Sequence, residues 1–107
     1  MRFGKKLYLT EGIEDSRRLR YRLKHGKVLR GLYLISICPG VDELEIYHCA
    51  FLRQSFYRKY PLKIVGIADS YKGALLLVEQ MVQDIYEKTG EYKLKDYLER
   101  QFRRSKG

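Results

Sequence analysis

The sequence predicts an α/β domain of the α+β kind, with about four strands in a mixed or antiparallel sheet and helices packed on it. Three observations predict this. The segments 30–38, 43–49 and 62–68 are short runs rich in Tyr, Leu, Ile and Val, as half-buried or buried strands are. The segment 71–88 repeats apolar residues at helical spacing, and 94–102 does so over a shorter length. The chain has 107 residues, the size of one domain, so residues 1–107 are read as a single unit ending in a flexible basic tail, 103–107.

Taken in order, Lys5–Thr10 reads as a first strand, closed by Gly12. Asp15 or Ser16 can cap a helix over Arg17–His25, with Gly26 just past its end. The strands 30–38 and 43–49 flank Pro39-Gly40-Val41-Asp42, a turn sequence. If they form a hairpin with Cys38 opposite Glu43, then Ile37 faces Leu44, Ile35 faces Ile46 and Tyr33 faces His48, all on one side of the sheet. The other side carries Leu32, Leu34, Ser36, Glu45, Tyr47 and Cys49. That side is too apolar to meet water freely and calls for a cover: a helix, a second subunit or a ligand. Residues 50–60 are ambiguous, with Leu52 and Phe56 at i,i+4 and Pro61 as a stop.

Leu62–Ala68 is a buried-type strand, and Asp69-Ser70 caps the strongest helix, Tyr71–Lys88. Its apolar positions (Tyr71, Ala74, Leu75, Val78, Met81, Val82, Ile85 and Tyr86) fall in an arc of about 140° at 100° per residue. Gly90 ends it, and Leu94, Tyr97, Leu98 and Phe102 mark a last amphipathic helix. If 50–60 contains a helix, the order of the first six elements also allows a ferredoxin-like βαββαβ plan with extra C-terminal helices.

The net charge of +9 is the unusual compositional feature, from 22 Lys+Arg against 13 Asp+Glu. The bases cluster in residues 1–37, 53–63 and 93–107, separated by acidic stretches. The first helix holds Arg17, Arg18, Arg20, Arg22 and Lys24, with Leu19 and Leu23 as a narrow apolar stripe. Such a helix can dock by its stripe and present cations to a phosphate backbone, for which Arg is well suited. At Phe56-Tyr57-Arg58-Lys59-Tyr60 rings and bases interleave, as they do where single strands stack. The leading expectation is therefore binding of RNA or single-stranded DNA through Arg17, Arg18, Arg20, Arg22, Lys24, Arg58 and Lys59, with Tyr57 or Tyr60 stacking. Arg30-Gly31-Leu32-Tyr33-Leu34 shares only its Arg-Gly start with the RNA-recognition signature, and leucines stand where stacking rings are needed.

The alternative is a homo-oligomeric interaction or regulatory module without nucleic acid, using Leu32, Leu34, Tyr47 and Leu76. Enzymatic function is disfavoured. His25 and His48 lack partners at metal-ligand spacing, and Asp42, Glu43 and Glu45 lack a calcium-loop pattern, so neither metal nor cofactor is expected. Gly66, in a strand that runs into a helix start, is read as a close-packing glycine, since no phosphate-loop motif surrounds it. Cys38 and Cys49 read as small buried hydrophobes. A small-molecule ligand is not expected. With no run of 18 apolar residues and no signal-peptide core, a cytoplasmic protein without membrane contact is expected.

Ile64-Val65-Gly66-Ile67-Ala68, Ala74-Leu75-Leu76-Leu77-Val78, Tyr86-Glu87-Lys88-Thr89-Gly90 and Leu94-Lys95-Asp96-Tyr97-Leu98 together resemble small uncharacterised bacterial proteins of about 100 residues. The resemblance spans the second half of the chain. It implies a bacterial, stand-alone cytosolic domain and brings no activity or site residue with it.

Overall fold

The computed structural model describes residues 1–27, 31–37, 44–54 and 62–103, the side chains of Arg53, Lys95, Gln101 and Arg103 excepted. Its elements are β1 (Arg2–Leu9), α1 (Arg17–Lys24), β2 (Tyr33–Ile37), β3 (Leu44–His48), a 3₁₀ segment (Cys49–Arg53), β4 (Lys63–Ala68), α2 (Tyr71–Thr89) and α3 (Leu94–Arg103). The four strands form one mixed sheet in the order β1-β4-β2-β3.

The hairpin register is the expected one. Tyr33 pairs with His48, Ile35 with Ile46 and Ile37 with Leu44. β4 lies antiparallel to β2 and parallel to β1. The ferredoxin-like alternative is therefore corrected: β1 takes an edge and runs parallel to its β4 neighbour, whereas that plan puts β1 in the centre of an all-antiparallel sheet. β1 also begins at Arg2, not Lys5, because Arg2 and Phe3 pair with Lys63 and Ile64. No local pattern announces a partner some sixty residues away. Arg103, assigned to the tail, is still helical in α3.

Strand alternation builds two cores. On one face Ile35, Ile37, Val65 and Ala68 meet Ala74, Leu77, Met81 and Ile85 of α2 and Leu98 and Phe102 of α3. On the other, Leu34, Ile64 and Ile67 meet Leu23 of α1 and Cys49 and Leu52 of the 3₁₀ segment. The cover that the second face required is thus α1 and the 3₁₀ segment of the same chain.

The alternation slips once. Ile35 pairs with Gly66 but Ser36 pairs with Ile64, so β4 carries an extra residue at this point. Gly66 lies against α2 there, and a Cβ on it would come within 2.9 Å of Met81 Cε, 3.0 Å of Ile35 Cδ1 and 3.3 Å of the Tyr8 carbonyl oxygen. Its glycine serves close packing, as expected.

α2 starts at Ser70, whose Oγ accepts from the Gly73 N–H at 2.9 Å, and stops at Gly90 with φ +76°. Its buried face is rotated from the expected arc. Leu77, placed outside that arc, is buried, while Tyr71, Leu75 and Tyr86 are exposed. Apolar identity alone does not set the buried face: α2 packs on both the sheet and α3, and this brings Leu77 inward.

Candidate nucleic-acid interface

α1 is a short helix that tertiary contacts must hold, since eight residues do not persist alone in water. Ser16 caps it: its Oγ accepts from the Leu19 N–H at 3.0 Å. Leu23 is fully buried in the second core and Leu19 packs beside it. Burial of one such leucine contributes about 1.5–3 kcal/mol. His25 closes the helix, its N–H donating to the Tyr21 carbonyl, and the Gly26 N–H donates to the Leu23 carbonyl.

At 100° per residue, Lys24, Arg17, Tyr21, His25 and Arg18 fall, in that angular order, within about 120° on the side away from the leucines. All five are exposed. The Tyr21 and His25 rings lie 4.1 Å apart, centroid to centroid, and Lys27 Nζ sits 6.0 Å from the Tyr21 ring centroid. Cations thus flank a pair of rings, with Tyr21 56% exposed at the centre.

The remaining expected contacts divide. Arg20 is turned away from this arc: its guanidinium donates to both Asp15 oxygens, at 2.8 and 2.6 Å, and lies 5.5 Å from the Phe3 ring centroid. The Arg20 hydrogen bond holds the Asp15 carboxyl below the usual carboxylate range. Arg22 is half-buried on the flank. Tyr57, Arg58, Lys59 and Tyr60 lie outside the described residues, as do Cys38, Asp42, Glu43 and 104–107. Lys63 belongs to the opposite face, paired with Glu99 of α3 at 2.5 Å and 5.9 Å from the Phe102 ring centroid. Tyr21 and His25 were not among the expected contacts. Their signal was present in the sequence, because Tyr21 lies opposite the Leu19/Leu23 stripe and His25 is four residues on.

The four residues expected at an oligomer interface do not share a surface. Leu34 is fully buried inside the second core, which corrects its expected role, and Leu32 and Tyr47 are half-buried against that core. Leu76 is 54% exposed on α2, in the other layer. α1 and the 3₁₀ segment cover this sheet face.

The remaining polar residues have structural places. His48 Nδ1 accepts from the Ala50 N–H at 3.0 Å and caps the 3₁₀ segment, with Tyr33 edge-on at 5.0 Å. Glu45 accepts from the Tyr47 hydroxyl at 2.6 Å. Cys49 is fully buried. Among the described residues, no group of three or more His, Cys, Asp or Glu is arranged to hold a metal, and no helix is long and apolar enough to cross a membrane. Comparisons with protein-family models, curated proteins and solved structures return no match.

Proposed function

We propose that the protein binds single-stranded nucleic acid, RNA or DNA, through the outer face of α1. The observation that carries this reading is the arc of Lys24, Arg17, Tyr21, His25 and Arg18, in which bases border an exposed ring pair. Arginines and Lys24 neutralise phosphates, while Tyr21 offers a face on which a base stacks without regard to its identity. Because Leu23 is buried in the second core, the outward cations are presented from an anchored helix instead of a loose segment. The expected specificity is for backbone and single-strandedness, not for sequence.

The test is fluorescence anisotropy with labelled single-stranded RNA and DNA across a salt series. The logarithm of the binding constant should fall linearly with the logarithm of salt concentration, by about 0.7 per neutralised phosphate. The triple variant R17E/R18E/K24E should lower that slope by about 2, three contacts' worth. Tyr21→Ala should weaken binding by about 1–3 kcal/mol with the slope unchanged, the value of one stacked base. Absence of binding at about 50 mM salt, or a flat salt response, would overturn the proposal.

A further inference from the structure

A cavity of about 580 Å³ opens on the opposite face of the molecule, between β1, α2 and α3. This volume lies in the range of small-molecule sites. None of Gly66, His48 and Asp69 lines it. Its floor is apolar, with Leu77 of α2 and Leu98 of α3 both buried.

Three cations border the cavity: Lys6 from β1, Lys88 from the last turn of α2 and Arg100 from α3. Two of them converge on one ring. Lys88 Nζ and Arg100 Cζ each lie 5.9 Å from the Tyr97 ring centroid. The cavity wall contains one carboxylate, Asp84, and the Tyr8 hydroxyl donates to its Oδ2 at 3.2 Å. Burial, and then the Asp84 charge, push the Tyr8 phenol up to about 12, so it keeps the proton it donates. Asp84, the carboxylate of the lining, thus already has a donor.

We infer that this cavity binds a small organic anion with a planar ring, its anionic head at Lys88 and Arg100 and its ring against the apolar side of the cavity. A carboxylate or phosphate supplies acceptor oxygens suited to the Arg100 guanidinium and the Lys88 ammonium. The apolar floor takes up the flat body. An inorganic anion would leave the apolar side of the cavity unused. The site shares no residue with the α1 arc, so it stands or falls independently of nucleic-acid binding.

The test is a titration of the ¹⁵N-labelled full chain, followed by amide shifts, with AMP, adenosine, benzoate and inorganic phosphate at low salt. AMP or benzoate should saturate below about 1 mM, a binding free energy of about −4 kcal/mol, with shifts centred on residues of α2 and α3. Adenosine and inorganic phosphate should each bind at least about tenfold more weakly than the better of the two. Tighter AMP binding assigns a phosphate head, and tighter benzoate binding a carboxylate head. K88E/R100E, at two exposed positions, should weaken the preferred probe about tenfold or more. Gln80→Trp, at an exposed lining position, should block the cavity sterically, and R17E/R18E should leave the probe's affinity unchanged. No saturation by either AMP or benzoate, equal binding of adenosine and AMP, or unaltered affinity in K88E/R100E would overturn the inference.

Discussion

A 19-residue helix and a 10-residue helix cover one face of the sheet, whereas an eight-residue helix and a five-residue 3₁₀ segment cover the other. On the first face the helices themselves supply much of the core: Ala74, Leu77, Met81, Ile85, Leu98 and Phe102. On the second, the strands supply much of it, with Phe3, Leu7 and Leu9 of β1 packed around Leu34, Ile64 and Ile67. α1 contributes one fully buried leucine. The difference teaches that a helix with little structural burden has most of its surface to spend elsewhere. α2 is shaped by what it covers, and α1 is shaped by what it presents.

Core truncation should break this comparison most visibly. Met81→Ala should cost about 2–5 kcal/mol in urea unfolding, because Met81 fills the junction between α2, β4 and β2 and its loss leaves a cavity. Leu23→Ala, also at a fully buried site, should cost about 2 kcal/mol, at the low end of that range. Its effect should appear first as lost amide-exchange protection within α1, with β2 and β4 still protected. Equal loss of protection on both faces in the Leu23 variant would show that the two layers unfold as one unit.

The caps make a finer comparison. Ser16→Ala and Ser70→Ala each remove one side-chain acceptor from a helix start, and each should cost about 1 kcal/mol. The consequence should differ by helix length. Without Ser16, α1 should fray along its whole length, which amide exchange would register from Arg17 to Lys24. Without Ser70, α2 should lose protection only in its first turn.

The smallest effect is one of pH. The folded state holds the Tyr8 phenol near 12 against an ordinary value of 10, chiefly by burial and next by the Asp84 charge. The neutral phenol is thus the form the fold favours. Its contribution is fully present below about pH 10 and is lost as pH rises toward 12. Tyr8→Phe should reduce the fall in melting temperature between those values and leave neutral-pH behaviour little changed. Parallel melting curves for the two proteins at alkaline pH would show that the hydroxyl has no such role.

Much of the fold was legible because its causes are local. The strand pair 33–37 and 44–48 fell into register from the placement of Ile35, Ile37, Leu44 and Ile46 alone, and Ser70 and Gly90 delimited α2. The position of β1 was not legible, because its parallel ladder with β4 depends on residues far away in the chain. The cover on the second face was legible as a need but not as an identity, since the three possible occupants all bury Leu34 equally well. At α1, counting charges found Arg17, Arg18 and Lys24, but it also included Arg20, which an acid five residues earlier withdraws. The cavity was not legible at all. Lys6, Lys88 and Arg100 come from three elements, and only the folding of β1, α2 and α3 against one another gathers them.

The parallel ladder of β1 also sets a timetable. Leu9 pairs with Ile67, so a growing chain must add 58 more residues before that contact can form. At about 5–20 residues per second this is a wait of about 3–12 s. A strand left unpaired that long is a template for the wrong neighbour. β1 interrupts itself: its ladder shifts between Phe3 and Tyr8, the stretch that holds the exposed cations Lys5 and Lys6. Two adjacent positive charges in mid-strand repel a second copy and break the flat apolar edge that aggregation requires. The lysines are present as soon as β1 is made, and their charge disfavours pairing with a second copy until β4 has been synthesised.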